Sequence, residues 1–180
     1  MRTILKTLIV VLISISGLPA QCDLKVNKDA FKGKKHKKHV ETHSDLLSTK
    51  GGALYSGISN FYDGSPHFKI MVCLKGDHYS ISKDDVVTFH IKDGESIQRN
   101  NFIRTGAKKT KLGSGTYRCA TYTVTIDEEL STLFLKDKKE CALEKLEVTH
   151  KKGSAEFKIK KKYANVLGQH LKCVMEALEE

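Results

Sequence analysis

The sequence predicts an α+β protein: a short helix packed on an antiparallel sheet, followed by an α-rich C-terminal extension. Three observations predict it. The middle of the chain carries short apolar and β-branched runs separated by turn residues. Before them, Val40 to Ser48 has helical spacing, and Gly51-Gly52 follows it as a stop. The last third closes on an amphipathic stretch, Tyr163 to Glu179, with Val166, Leu167, Leu171, Val174, Met175 and Leu178 on one face.

The first residues lie outside that fold. Arg2 and Lys6 bracket the start of an apolar stretch, Thr7 to Leu18, and the small Ala20 follows Pro19. This is the order of a secretory leader, and the stretch falls short of the roughly 20 apolar residues a membrane span needs. Residues 1–20 are therefore expected to be a signal peptide. The expected mature chain, Gln21 to Glu180, has 160 of the 180 residues. The leader removes two basic residues and no acidic one, so the formal charge of +10 becomes +8.

Along the mature chain, residues 32–39 (KGKKHKKH) form a dense basic run. Such a run is a solvated segment or an arm for polyanions, since clustered lysines neutralise phosphates without reading sequence. The short helix at Val40 to Ser48 would pack through Val40, Leu46 and Leu47. Phe68 to Leu74 (FKIMVCL) reads as a buried central strand, and Val86 to Ile91 (VVTFHI) as the next, closed by the turn Lys92-Asp93-Gly94-Glu95. Ser96 to Arg104 is a further strand with Ile97 and Ile103 inward, Lys108 to Gly115 a polar loop, and Thr116 to Ile126 an alternating strand. Acidic residues suit a helix N-terminus, so Asp127-Glu128-Glu129 opens a helix expected to run to about Glu147 through Leu130, Phe134, Cys141 and Leu146. Ala155, Phe157 and Ile159 alternate with charged residues as one strand before the final helix. The organisation expected is a domain over residues 21–126 and a helical extension over 127–180.

Composition narrows the class. With 39% hydrophobic and 29% charged residues the chain is globular rather than disordered, and its length leaves no room for a multidomain enzyme. Five cysteines (Cys22, Cys73, Cys119, Cys141 and Cys173) lie in the expected mature chain, and in an oxidising compartment they should pair, leaving one over. Cys141 and Cys173 could staple the extension, with Cys73 left free in its apolar strand. No CxxC or His-rich spacing suggests a zinc site, and no cofactor motif is found.

Residues 55–119 carry several short segments in a familiar order. Asn60-Phe61-Tyr62-Asp63-Gly64 resembles a base-recognition loop of the form Asn-Asn-Tyr-Glu-Gly. Ser65-Pro66-His67-Phe68 with Lys69-Ile70-Met71-Val72 resembles the strand that follows it, with six residues deleted between the two segments. Gly76-Asp77-His78-Tyr79-Ser80, Asp85-Val86-Val87-Thr88-Phe89, Ile103-Arg104-Thr105-Gly106-Ala107 and Thr116-Tyr117-Arg118-Cys119 continue the series. Together they resemble the fungal guanyl-specific ribonucleases, and more closely the ribonuclease-like secreted effectors of powdery mildew fungi. The resemblance covers residues 22–119 and says nothing of the rest. It implies a Cys22–Cys119 disulfide, although the Tyr-x-Cys expected at the mature N-terminus is replaced by Gln21-Cys22.

The resemblance also implies where catalysis would sit. Cleavage needs a base, an acid and cations around the phosphorane. Tyr55 matches the family's tyrosine, but Gly57 stands at the first histidine, Lys69 at the glutamate, Val86 at the arginine and Arg104 at the second histidine. Lysine and arginine hold their protons at neutral pH, so no acid–base pair survives and no ribonuclease activity is expected. What remains is a cationic cleft suited to phosphate with a base stacked nearby. Tyr55, Tyr62, Asp63, Lys69 and Arg104 are its candidates, with Lys34, Lys35, Lys37 and Lys38 of the basic run. Lys69 and Arg104 are otherwise ordinary surface charges. His67 and His78 fall at no catalytic position of the family, and His36, His39 and His43 add charge at acidic pH.

By this resemblance the protein would be a secreted, monomeric, catalytically inactive effector that binds RNA or a protein of a plant host. A different class is an immunoglobulin-type binding module. There Gly113 to Cys119 would be a closing strand, Cys73 would bridge to Cys119 between sheets, and Phe89 would replace the usual Trp. The disulfide discriminates between the two: Cys22–Cys119 for the first, Cys73–Cys119 for the second.

Overall fold

The computed structural model describes residues 22–34, 38–43, 53–75, 79–112, 114–136, 143–159 and 161–180. In chain order the strands are β1 (Leu24–Asn27), β2 (His39–Thr42), β3 (Ala53–Asn60), β4 (Pro66–Leu74), β5 (Ser80–Ile81), β6 (Val86–Ile91), β7 (Ser96–Asn100), β8 (Thr105–Gly106), β9 (Lys108–Leu112) and β10 (Gly115–Thr125). Helix α1 (Glu128–Leu135), strands β11 (Leu143–His150) and β12 (Gly153–Lys158) and helix α2 (Lys161–Glu179) complete it. The described fold is mostly β. This overturns the expected short helix on a sheet with a helix-rich extension.

The strands form an antiparallel six-stranded sheet in the order β1-β2-β3-β4-β10-β9, a four-stranded sheet β12-β11-β6-β7, and the small pair β5-β8. One face of β4 and β10, carrying Phe68, Ile70, Val72, Ala120, Tyr122 and Val124, is buried in the core. Val87 and Phe89 of β6 and Leu146 and Val148 of β11 supply the other side of that core. Phe68, Phe89 and Phe134 meet in a triangle of ring centroids 5.7, 5.8 and 5.9 Å apart, tying β4, β6 and α1 together. Edge-on aromatic contacts of this kind stabilise beyond the area they bury. Tyr122 is buried because its hydroxyl donates to Thr149 O at 2.6 Å, so its polar end is satisfied across the two sheets.

Helix α2 lies where the 3.6-residue pattern placed it. Leu167, Leu171 and Val174 are buried against β2 and β3, while Met175, expected on that face, is 42% exposed. Gly168 sets how closely the two helices cross: a Cβ there would lie 2.1 Å from the Phe134 carbonyl oxygen of α1.

Other expectations are corrected by strand pairing. The short helix at Val40 to Ser48 begins instead as β2, whose Val40 and Thr42 point into the core while His39 and Glu41 face the other way. Asn60 fixes this, its Oδ1 accepting from Val40 N at 2.7 Å. Leu46, Leu47 and Gly51-Gly52 lie outside the described residues. The helix expected from Asp127 to about Glu147 ends at Leu135. Asp127 does cap it, accepting from Leu130 N at 3.1 Å, but Leu146 and Val148 then alternate on β11, which takes the open edge of β6. The β-branched Val148 and Thr149 favour that outcome. Lys108 to Gly115, expected as a loop, contains edge strand β9, whose lysines tolerate solvent on both faces. Ile97 is buried as expected, but Ile103 is 39% exposed.

The disulfides differ from the expected pairs. Cys22 bridges to Cys173, not to Cys119, and so ties the N-terminus to α2. Cys73 bridges to Cys119 rather than remaining free, because β4 and β10 pair in a register that sets the two directly opposite. The Cys141–Cys173 staple is thereby excluded, and Cys141 itself lies outside the described residues. The Cys73–Cys119 link of the immunoglobulin-type reading is present, but it joins neighbouring strands of one sheet, whereas in that fold it joins two facing sheets.

Candidate functional site

The site is built at the turn between β3 and β4. Phe61 N donates to Ser65 O at 2.9 Å and Gly64 N to Phe61 O at 3.0 Å. Gly64 takes φ +89°, a conformation that only glycine adopts freely. Asp63 locks the turn by accepting from Ser65 N at 2.9 Å and from Ser65 Oγ at 2.6 Å. These hydrogen bonds favour its ionised form and hold its carboxyl below the ordinary range. Asn60 anchors the other side, its Nδ2 donating to Lys38 O at 2.9 Å.

On this rigid turn stands a cluster of rings. Phe61 lies 4.6 Å from Tyr62, 5.4 Å from His67 and 5.3 Å from Phe102, the last edge-on. Phe31 and His39 extend it on the β2 side. Tyr62 and Phe102 remain 42% and 40% exposed, so they present apolar ring surface to solvent. Lys34 Nζ sits 5.4 Å from the centre of the Tyr62 ring, within cation–π range. Arg104, two residues beyond Phe102, is exposed.

Beneath the rings the groups are already committed. His67 is buried; its Nδ1 lies 3.1 Å from Ser65 O and its Nε2 3.2 Å from Thr125 Oγ1. A carbonyl only accepts, so Nδ1 carries the proton and Nε2 accepts from the threonine. Burial, reinforced by nearby Lys69, lowers the pKa of His67, and the same two causes lower that of His39. Lys69 is half-buried and paired with Glu41 at 3.2 Å. Among the described residues beneath the rings, His67 and Lys69 thus both have partners.

Of the residues expected to bind, Tyr62 and Lys34 are brought together, and Asp63 is in the same turn with a structural role. Lys69 lies near enough to influence His39 and His67. Lys38 is turned away, its Nζ donating to Ala177 O at 2.7 Å at the end of α2, where a cation is favourable. Tyr55 falls in β3 opposite Met71. Lys35, Lys37, His36 and His78 lie outside the described residues. Phe31, Phe61 and Phe102 were missed. The signal for Phe102 was present: a lone aromatic in the polar stretch Arg99-Asn100-Asn101-Phe102 has no strand partner to bury it.

No protein-family model matches this chain, and neither a curated protein nor a solved structure is found to be similar to it. Among the described residues, no group of three metal-ligating side chains converges.

Proposed function

We propose that this chain is a secreted, non-catalytic binding protein whose aromatic patch holds single-stranded RNA. One observation carries the reading: an exposed tyrosine, stiffened by Phe61 and accompanied by a lysine ammonium, with a second exposed ring, Phe102, packed on the same Phe61. Every base has a π-face, so such a platform takes single strands with little sequence preference, while cations track the phosphates. Lys34 stands over the Tyr62 ring, and Arg104 is exposed two residues beyond Phe102. The leader and two disulfides suit an extracellular protein.

The test is fluorescence anisotropy of a labelled ten-residue uridine oligomer with the mature protein. Tyr62→Ala and Phe102→Ala should each weaken binding by about 1–3 kcal/mol. The logarithm of affinity should fall with that of salt by about 0.7 per phosphate contact. The oligomer should be recovered intact. Binding that survives both substitutions and varies with salt alone would show that the charge of the chain, not the patch, was responsible.

A further inference from the structure

A second site lies on the four-stranded sheet, along a strand that ends two residues before Phe102 of the ring patch. Strand β7 is its edge, with no strand on its outer side among the described residues. The direction of its backbone groups follows from the register. Ile91 N donates to Glu95 O and Asn101 N to Asp85 O, both at 2.8 Å, and β6 pairs with β7 in step between them. Hydrogen-bonded pairs alternate in an antiparallel ladder, so Ile97 and Arg99 turn their amides to β6. The amides of Ser96, Gln98 and Asn100 turn away from it.

That free edge borders a groove of about 950 Å³ against α1. Its floor is apolar, from Ile91, Ile97 and Leu133, and Glu95, Glu128 and Glu129 stand along it. Arg99 is already engaged: its Nε donates to Asp127 Oδ2 at 2.6 Å, and its guanidinium also binds Glu129. Its Nη1 occupies the Gln98 carbonyl at 2.7 Å. Counting Asp127, four carboxylates face two cations, Arg99 and Lys136, in a chain whose formal charge is +10. The groove is therefore acidic on a basic molecule.

We propose that this groove takes an extended, lysine- or arginine-bearing polypeptide segment, which adds to β7 as a fifth strand. Main-chain hydrogen bonds to Ser96, Gln98 and Asn100 supply affinity, as in other strand additions to an open sheet edge. Side chains alternate along the added strand, and Glu95 and Ile97, two residues apart, share the face turned to α1, so every second residue enters the groove: a lysine there lays its apolar stem on Ile97 and Leu133 and its ammonium reaches Glu95 or Glu128, while the alternate residues face away. An RNA strand is repelled by the same carboxylates, so this groove and the ring patch take ligands of opposite charge.

The probe is an acetylated, amidated heptapeptide of alternating Lys and Val, titrated into the mature protein with both disulfides intact. Amide NMR shifts should concentrate at Ser96, Gln98 and Asn100, and hydrogen exchange there should slow. The same peptide N-methylated throughout keeps its charges but has no main-chain donors, and should bind at least about tenfold more weakly. Glu95→Gln and Glu128→Gln, both exposed positions that spare the fold, should weaken the unmodified peptide. The proposal is overturned if no binding is seen, if the shifts map elsewhere, if the N-methylated peptide binds equally well, or if a Glu–Val peptide binds as tightly as the Lys–Val one.

Discussion

Gly168 offers a sharp test of the packing. Replacing it with alanine adds one methyl to the middle of α2, where helix propensity alone predicts a gain of about 0.8–1.0 kcal/mol. The structure predicts the opposite sign. The new Cβ would stand 2.1 Å from Phe134 O and 3.1 Å from its carbonyl carbon, both backbone atoms that no side-chain rotation can clear. The two helices must separate by about an ångström, and overpacking of this kind costs about 1–3 kcal/mol. Phe134 cannot yield freely, because its ring completes the triangle with Phe68 and Phe89. Because the clash is with backbone atoms, the cost falls in the upper part of that range, about 2–3 kcal/mol, and after the propensity gain leaves G168A about 1–2 kcal/mol less stable. A change of that size lowers the thermal midpoint of a domain of this length by about 2–8 °C. Urea unfolding followed by circular dichroism gives the free energy, and Lys172→Ala, on the exposed side of α2, should change it by less than about 0.5 kcal/mol. A G168A protein as stable as the parent, or more stable, would refute the close crossing at this glycine.

Two further outcomes follow from the same contacts. Cys173→Ser removes the bridge that closes 151 residues of sequence, and should cost about 2–5 kcal/mol in urea unfolding, with α2 the first element to lose hydrogen-exchange protection. Stability should also fall with acid. His39, His67, His150 and His170 all have pKa values lowered chiefly by burial. The unfolded chain therefore binds protons first, so their contribution is complete above about pH 6.5 and is lost as pH drops below it towards the folded-state values. Urea midpoints at pH 7.5, 6.5 and 5.5 should decline in that order; a flat series would contradict the burial of these rings.

The parts of the fold that were legible from sequence are those whose signal is local. Val86 to Ile91 is a strand because its β-branched residues and the following Lys-Asp-Gly turn demand one, and β6 has those bounds. Helix α2 was legible from Leu167, Leu171 and Val174 recurring at helical spacing. Failures came where a partner distant in sequence decided. Leu143 to His150 has enough leucine and glutamate to pass as helix, and only the open edge of β6, some 60 residues earlier, makes it a strand. The same holds for β2, whose Val40 is fixed by Asn60. Disulfide pairing is a register property: once β4 and β10 align Val124 with Phe68, Cys119 must meet Cys73.

The candidate site divides along the same line. Tyr62 was visible, since a tyrosine in an Asn–Gly turn has little to bury it. Its supports were not, because Phe61, His67 and Phe102 meet only when Phe102 N donates to Thr123 O at 2.6 Å and brings the segment after β7 alongside β10. That one contact carries a consequence for binding. Asn101 braces it, its side chain accepting from Thr123 N at 2.9 Å and donating to Ser82 O at 2.8 Å. The backbone that carries the exposed Phe102 ring is thus fixed by hydrogen bonds, and the ring itself rests on Phe61 and His67. A platform ordered before its ligand arrives loses little entropy on binding, which is the condition under which two exposed rings and a few cations can hold a flexible strand.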